Sequence, residues 1–186
     1  MVQIKVDTAA RKNYGNRRKT KDIKYLVIHY TGNDGDSAKG NANYFKTHIV
    51  EASAHYFVDD NGIIQSVPDD FTAYSVGGKK YPSCGKTGGG KFYGKCTNEN
   101  SLNVELCDTR KNGRFDFSER TLDNAADLCR VLLKKYNISV DNIIRHFDVV
   151  GKNCPAPFVS DEKAWQAFQE RIVDEVKYYE EKKDVP

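Results

Sequence analysis

The sequence has no apolar run longer than four residues, Tyr25–Ile28, which excludes a membrane-spanning helix. Its opening stretch, MVQIKVDTAARKNYGNRRK, is charged and lacks the apolar core of a secretory signal; the expectation is a chain made in the cytoplasm without a leader. Cysteine is scarce and odd in number (positions 84, 96, 107, 129 and 154), with no C-x-x-C pair. With no secretory signal, a full disulfide framework is not expected, and an odd count leaves at least one thiol for other work. No internal repeat is present, and no acidic residue falls between Phe71 and Asn98, a stretch that holds five lysines.

What is there suits one folded unit. At 186 residues the chain is long enough to bury a core without staples, and 11 Tyr with 9 Phe exclude wholesale disorder. The net charge of +3 is mild but unevenly spread: eight basic and two acidic residues from Lys5 to Lys24, against five basic and eight acidic from Asp161 to Asp184. A basic face meets nucleic acid or an anionic cell envelope, or is simply solvated; motifs that read bases are absent. Residues 1–21 read as a basic, mostly irregular arm, 22–180 as the folded domain, 76–98 as a Gly/Lys-rich surface insertion within it, and 181–186 as a tail or the start of a linker.

DIKYLVIHY (22–30) is a continuous apolar run, as for a strand buried on both faces. Asp36 or Ser37 caps a helix running to Phe45. AHYFVDDNGIIQSV (54–67) predicts a hairpin about Asn61-Gly62. In LNVELC (102–107), Leu102, Val104 and Leu106 face the core while Asn103, Glu105 and Cys107 face away. Ser118 caps a helix with Leu122, Ala125, Leu128/Cys129, Leu132 and Tyr136 on one face. NIIRHF (142–147) is a last short strand, and a terminal helix from about Ser160 buries Trp165, Phe168, Ile172, Val176 and Tyr179. This order predicts an α/β fold, a mixed sheet flanked by helices.

His29 ends the first strand and His146 the last, with Cys154 eight residues further on. Two imidazoles and one thiolate suit zinc and leave its fourth position for water; a strand-end histidine is equally a hydrogen-bonded structural residue. Glu105 beside such a site would serve as general base and then general acid, or else is an exposed strand acid. Lys152, two residues before Cys154, would face a developing oxyanion, or else is a solvated loop lysine. His55 is either close to the site or a packing residue of the hairpin, and His48 is a solvent-exposed helix-end residue. Cys107 and Cys129 read as core residues, and Cys84 and Cys96 of the insertion as free thiols, the alternatives being a pair or a second metal site.

Four segments in order, VIHYTGN (27–33), SAHYFVDDNG (53–62), NSLNVEL (100–106) and RHFDVVGKNCP (145–155), together resemble the zinc-dependent N-acetylmuramoyl-L-alanine amidases. This type 2 amidase family shares its fold with peptidoglycan recognition proteins. The resemblance implies a peptidoglycan-recognition-protein-like fold, Zn2+ held by His29, His146 and Cys154, Glu105 as acid/base and Lys152 as the oxyanion partner. It also implies hydrolysis of the amide between N-acetylmuramic acid and L-alanine, as in endolysins and autolysins of Gram-positive bacteria and their phages. The alternative is a recognition domain that binds peptidoglycan without cutting it. The partners so expected are peptidoglycan and anionic wall polymers, with no nucleic acid or membrane, for a monomer acting on the cell wall. The sequence departs from the family's pattern at Ala54, where some members carry Tyr, and at Ala73-Tyr74-Ser75, where many read Ala-Trp-His.

Overall fold

A computed structural model describes residues 3–181, the last helix beyond Val173 by its backbone only. In chain order the elements are β1 (Ile4–Val6), β2 (Tyr14–Arg17), β3 (Tyr25–Asp34), α1 (Ala38–Thr47), β4 (Tyr56–Asp59), β5 (Gly62–Gln65), β6 (Phe71–Ala73), α2 (Cys84–Thr87), β7 (Ser101–Lys111), β8 (Arg114–Asp116), α3 (Glu119–Tyr136), β9 (Ile143–Arg145), α4 (His146–Val150), α5 (Ala156–Ser160) and α6 (Glu162–Glu181). No helix among the described residues is long and apolar enough to cross a membrane.

The main sheet runs β1-β5-β4-β7-β3-β9, with β8 folding back on β7. Its central pairings β4/β7, β7/β3 and β3/β9 are parallel, and β4/β5 is the antiparallel hairpin expected at Asn61-Gly62. A strand with parallel neighbours on both sides is covered on both faces. That accounts for the apolar run of β3, where Leu26, Val27 and Ile28 are fully buried. On one face Leu26, Ile28, Val104 and Leu106 pack against Leu128 and Leu132 of α3 and Trp165, Phe168 and Ile172 of α6. On the other, Val27 meets Ile144, Val149, Val150 and Val76, while Phe57 and Cys107 meet Ala38 and Ala42 of α1. Asn103 and Cys107 were expected to face away from the core. They are buried too, because this second layer covers them. Mixed α/β architecture, a central mixed sheet flanked by helices, is therefore what the chain adopts.

Three expectations change. The described part of the arm, residues 3–21, is not mostly irregular: β1 adds a parallel edge strand to β5, and β2 pairs with β6 in a second small sheet. Asn13, fully buried, donates to the carbonyls of Phe45 and His48 (2.6 and 2.7 Å) and accepts from Val50 and Glu51 N–H groups. These long-range partners leave no trace in local pattern. The last strand stops at Arg145, and His146 opens α4 instead. The Asp148 carboxylate accepts the Arg145 N–H at 2.9 Å, capping the helix start and ending the pairing. The insertion carries a helical turn, α2, and a buried side: Cys84, Gly89, Gly90 and Cys96 face inward. The buried stripe Trp165, Phe168 and Ile172 is as expected, whereas Val176 and Tyr179 as side chains, and the tail beyond Glu181, lie outside the described residues.

Candidate metal and catalytic site

Register brings the site together. In the β3/β7 ladder, His29 stands opposite Glu105 and Val27 opposite Asn103; since alternate residues share a face, His29, Asn103 and Glu105 project together. β9 lies on the other side of β3, so His146, the residue after it, arrives beside His29 with ring centroids 4.7 Å apart. The chain then turns back: the Phe147 N–H donates to the Cys154 carbonyl at 2.8 Å, closing the 147–154 loop. Cys154 Sγ comes to 3.8 Å from His29 Nδ1. Ligand atoms of His29, His146 and Cys154 all lie within 4.8 Å of one another, and all three residues are buried.

The insertion holds this loop from outside. Short helices leave their last carbonyls unpaired, and here Gly90, Phe92 and Tyr81 N–H groups donate to the carbonyls of Phe147, Asp148 and Val150 at 3.0, 2.9 and 2.8 Å. Gly151 ends α4 with φ +85°, and a Cβ there would stand 2.2 Å from Cys84 Sγ. On the inner side Arg145 forks onto Asp148 (3.0 and 3.1 Å) and reaches the Phe158 carbonyl at 2.8 Å. Cys84 and Cys96 are free thiols, as are the other three.

Electrostatics fit a metal. Burial lowers the His29 imidazole to about 4, assisted by the Lys152 charge and opposed by its bond to Asn103. It lowers His146 to about 2, with His29 and Lys152 adding to the effect. Both rings are thus neutral and offer lone pairs. Neither ring nitrogen of His146 has a hydrogen-bond partner although both are buried. A buried donor or acceptor left unpaired costs about 1–3 kcal/mol, and a cation accepting the lone pair removes part of that cost. The Cys154 thiol, raised to about 12 by burial and by Glu105, needs such a cation to ionise. Two nitrogens and one sulfur are the donor set of an open, three-ligand zinc site.

Glu105 stands next to these three residues, Oε1 3.8 Å from His29 Nδ1, and its side chain is 22% exposed. Its Oε2 is buried with no partner, and burial raises the carboxyl to about 8 against the pull of Lys152. Lys152 itself is exposed, close enough for its charge to act on His29, His146, Cys154 and Glu105. His55 is fully buried and does not join the set; its Nδ1 accepts the Asn103 backbone N–H at 3.1 Å. His48 stacks on Tyr44 at the end of α1, exposed as expected. Ala54 is buried, and Tyr74 is 39% exposed. Asn103 and Arg145 escaped the sequence reading: alternation put Asn103 on the face of Glu105, but only the β3/β7 register brings its amide to His29.

Comparison with known proteins agrees. The profile described as N-acetylmuramoyl-L-alanine amidase matches residues 19–157. The amidase BlyA of Bacillus subtilis (strain 168) is 37% identical over 162 residues, covering 83% of this chain and 42% of that protein. The amidase CwlL of Bacillus licheniformis is 34% identical over 157 residues, covering 81% and 41%. The chain thus spans about two fifths of the length of these curated relatives. The solution structure of the PlyG catalytic domain superposes with a TM-score of 0.72 at 28% identity, over 93% of this chain and 94% of that one. With the family's profile matched across strands β3 to β9 and the fold shared with such a catalytic domain, this chain belongs to the N-acetylmuramoyl-L-alanine amidase family.

Proposed function

We propose that this chain is a zinc-dependent catalytic domain that hydrolyses the amide between the lactyl group of N-acetylmuramic acid and L-alanine in peptidoglycan. The observation that carries the reading is the convergence of His29, His146 and Cys154 with the Glu105 carboxyl group, whose Oε2 is buried without a partner, near the ends of parallel strands; strand ends are where such sheets seat their ligands. His29, His146 and Cys154 would hold the ion. Zinc, when bound, supplies Lewis acidity, polarising the scissile carbonyl and making water nucleophilic near neutral pH. Glu105, whose carboxyl burial holds protonated in the metal-free site, would ionise beside a bound dication, accept the attacking water's proton and return it to the departing L-alanine nitrogen. Lys152 contributes positive charge where the carbonyl oxygen becomes negative. The loop 147–154, braced by the insertion, keeps His146, Lys152 and Cys154 in one rigid piece.

The site of action is the bacterial cell wall, as for endolysins and autolysins, and the domain works as a monomer. Lys79, Lys80, Lys86, Lys91 and Lys95 are all exposed on the acid-free insertion; they would draw the enzyme to anionic wall polymers, an attraction that weakens with salt.

The deciding experiment measures metal content and digests Gram-positive peptidoglycan with and without a chelator, reading the new termini by mass spectrometry. About one zinc per chain and chelator-sensitive release of peptides with a free L-alanine amine are expected. Zinc with wall binding but no cleavage would point to a recognition module; no zinc would overturn the metal assignment.

A further inference from the structure

We infer that Asn103 is the positioning residue that fixes which nitrogen of His29 faces the metal position, by forcing one tautomer on its ring. The inference rests on the reading of His29 as a metal ligand but concerns a residue outside the ligand set.

Ser101 lies two residues before Asn103 on β7. The Ser101 hydroxyl donates its single hydrogen to the Thr97 carbonyl at 2.7 Å. Its oxygen is therefore left only as an acceptor toward Asn103, 3.1 Å away. A side-chain amide has one donating end and one accepting end, so the Asn103 NH2 must be the end that faces Ser101. The carbonyl end then points at His29, with Oδ1 3.0 Å from Nε2. An amide oxygen cannot donate, so Nε2 carries the hydrogen, and in a neutral imidazole the lone pair is then on Nδ1. Nδ1 is the nitrogen that lies 3.8 Å from both Cys154 Sγ and Glu105 Oε1. Ser101 and Asn103 are fully buried and His29 nearly so, so water does not compete along this chain. The Asn103 backbone is itself held, its N–H donating to His55 Nδ1 at 3.1 Å.

His146 offers the contrast. With neither nitrogen hydrogen-bonded, its ring has no such instruction. One ligand is aimed before the ion arrives, and the other turns to meet it. Partners of this kind, donating or accepting at the far nitrogen of a ligating histidine, set its orientation and basicity.

The test uses the full chain. Nitrogen-15 NMR of the imidazoles in metal-free, unmodified protein should show His29 as the Nε2–H tautomer; an Nδ1–H ring would overturn the inference. In parallel, zinc affinity is measured by chelator competition for the wild type, Asn103→Leu and Ser101→Ala, with circular dichroism melts of the metal-free forms as the folding control. Asn103→Leu should weaken zinc binding ~10–100-fold and lose the tautomer preference. Ser101→Ala, which frees the amide to flip, should fall between it and the wild type. A folded Asn103→Leu protein that binds zinc within roughly threefold of wild type, outside that range, would overturn the inference. If wild type binds no zinc, the metal reading fails instead, while the tautomer in the same metal-free sample still decides the role of Asn103.

Discussion

Arg145 offers a sharp test of how the site is braced. The residue is 6% exposed, and its guanidinium forks onto Asp148 through two bonds of 3.0 and 3.1 Å. It also donates to the Phe158 carbonyl at 2.8 Å and to Glu162 at 2.7 Å, between the rings of Phe147 and Trp165. In Arg145→Met the Asp148 carboxylate, 7% exposed, keeps only the Arg145 backbone N–H as partner. The bond to Glu162 adds little because that side chain is 60% exposed. Two lost charge-assisted bonds at ~1.5–3 kcal/mol each, or a buried charge stripped of its partner at ~3–5 kcal/mol, converge on a loss of about 4 kcal/mol. For a chain of this size that lowers Tm by ~8–16 °C. Removing both charges in Arg145→Met/Asp148→Leu should recover part of it, since a buried pair exchanged for apolar side chains costs little while the Asp148 cap on the residue-145 N–H is lost. Urea unfolding of the two single variants and the double variant gives the coupling directly, and zinc binding should follow stability because His146 lies between the two charges. A coupling near zero, or an Arg145→Met protein as stable as the parent, would refute the bracing argument.

Other expectations follow from the same geometry. Glu105→Gln should retain zinc yet lose ~10²–10⁴ in turnover, measured as L-alanine amines released from purified walls; near-normal release would remove Glu105 from the acid/base role. Asp69, 7% exposed, accepts bonds from Tyr56, Tyr136, Lys135 and Gln65. Burial alone would raise its carboxyl, but the bonds from Tyr136, Tyr56 and Lys135 hold it below the ordinary range. Its contribution is therefore complete above about pH 4 and lost as pH falls through the lower folded value; Asp69→Asn should cost ~2–3 kcal/mol near neutrality and flatten the acid limb of a Tm-against-pH curve. Gly151→Ala should cost at least about 2 kcal/mol from its left-handed backbone and the collision with Cys84 Sγ. Adding Cys84→Ala should restore the collision part only, because the Cys84 Cβ is 3.8 Å away; denaturant midpoints separate the two contributions.

Much of this was legible in the sequence because period and burial coincide there. The run YLVI reads as a doubly covered strand and is one, and the Ser37 and Ser118 caps accept the N–H groups expected of them, from Gly40 and Thr121. The spacing from His146 to Cys154 survives as one closed loop. What was illegible depends on pairing between distant segments. Nothing local says that Asn13 will pin the end of α1, or that β1 will extend the sheet. Asn103 looked like a polar strand residue because its partner, His29, is chosen by register alone. Gly77–Gly94 looked like a free surface loop because backbone N–H groups, which every sequence possesses, make its bonds to α4.

The proposed ligands are far apart along the chain, His29 and Cys154 being 125 positions apart. In an unfolded chain, bringing those two ends together carries a length-dependent entropic cost of about 4 kcal/mol. The unfolded polypeptide is therefore a poor competitor for the ion, left with little more than the short His146–Cys154 segment as a local chelator. Whatever affinity the folded site has is converted almost wholly into resistance to unfolding. Any ion held there acts as a reversible cross-link between the first half of the sheet and the last, and its removal unlocks a loop of that length.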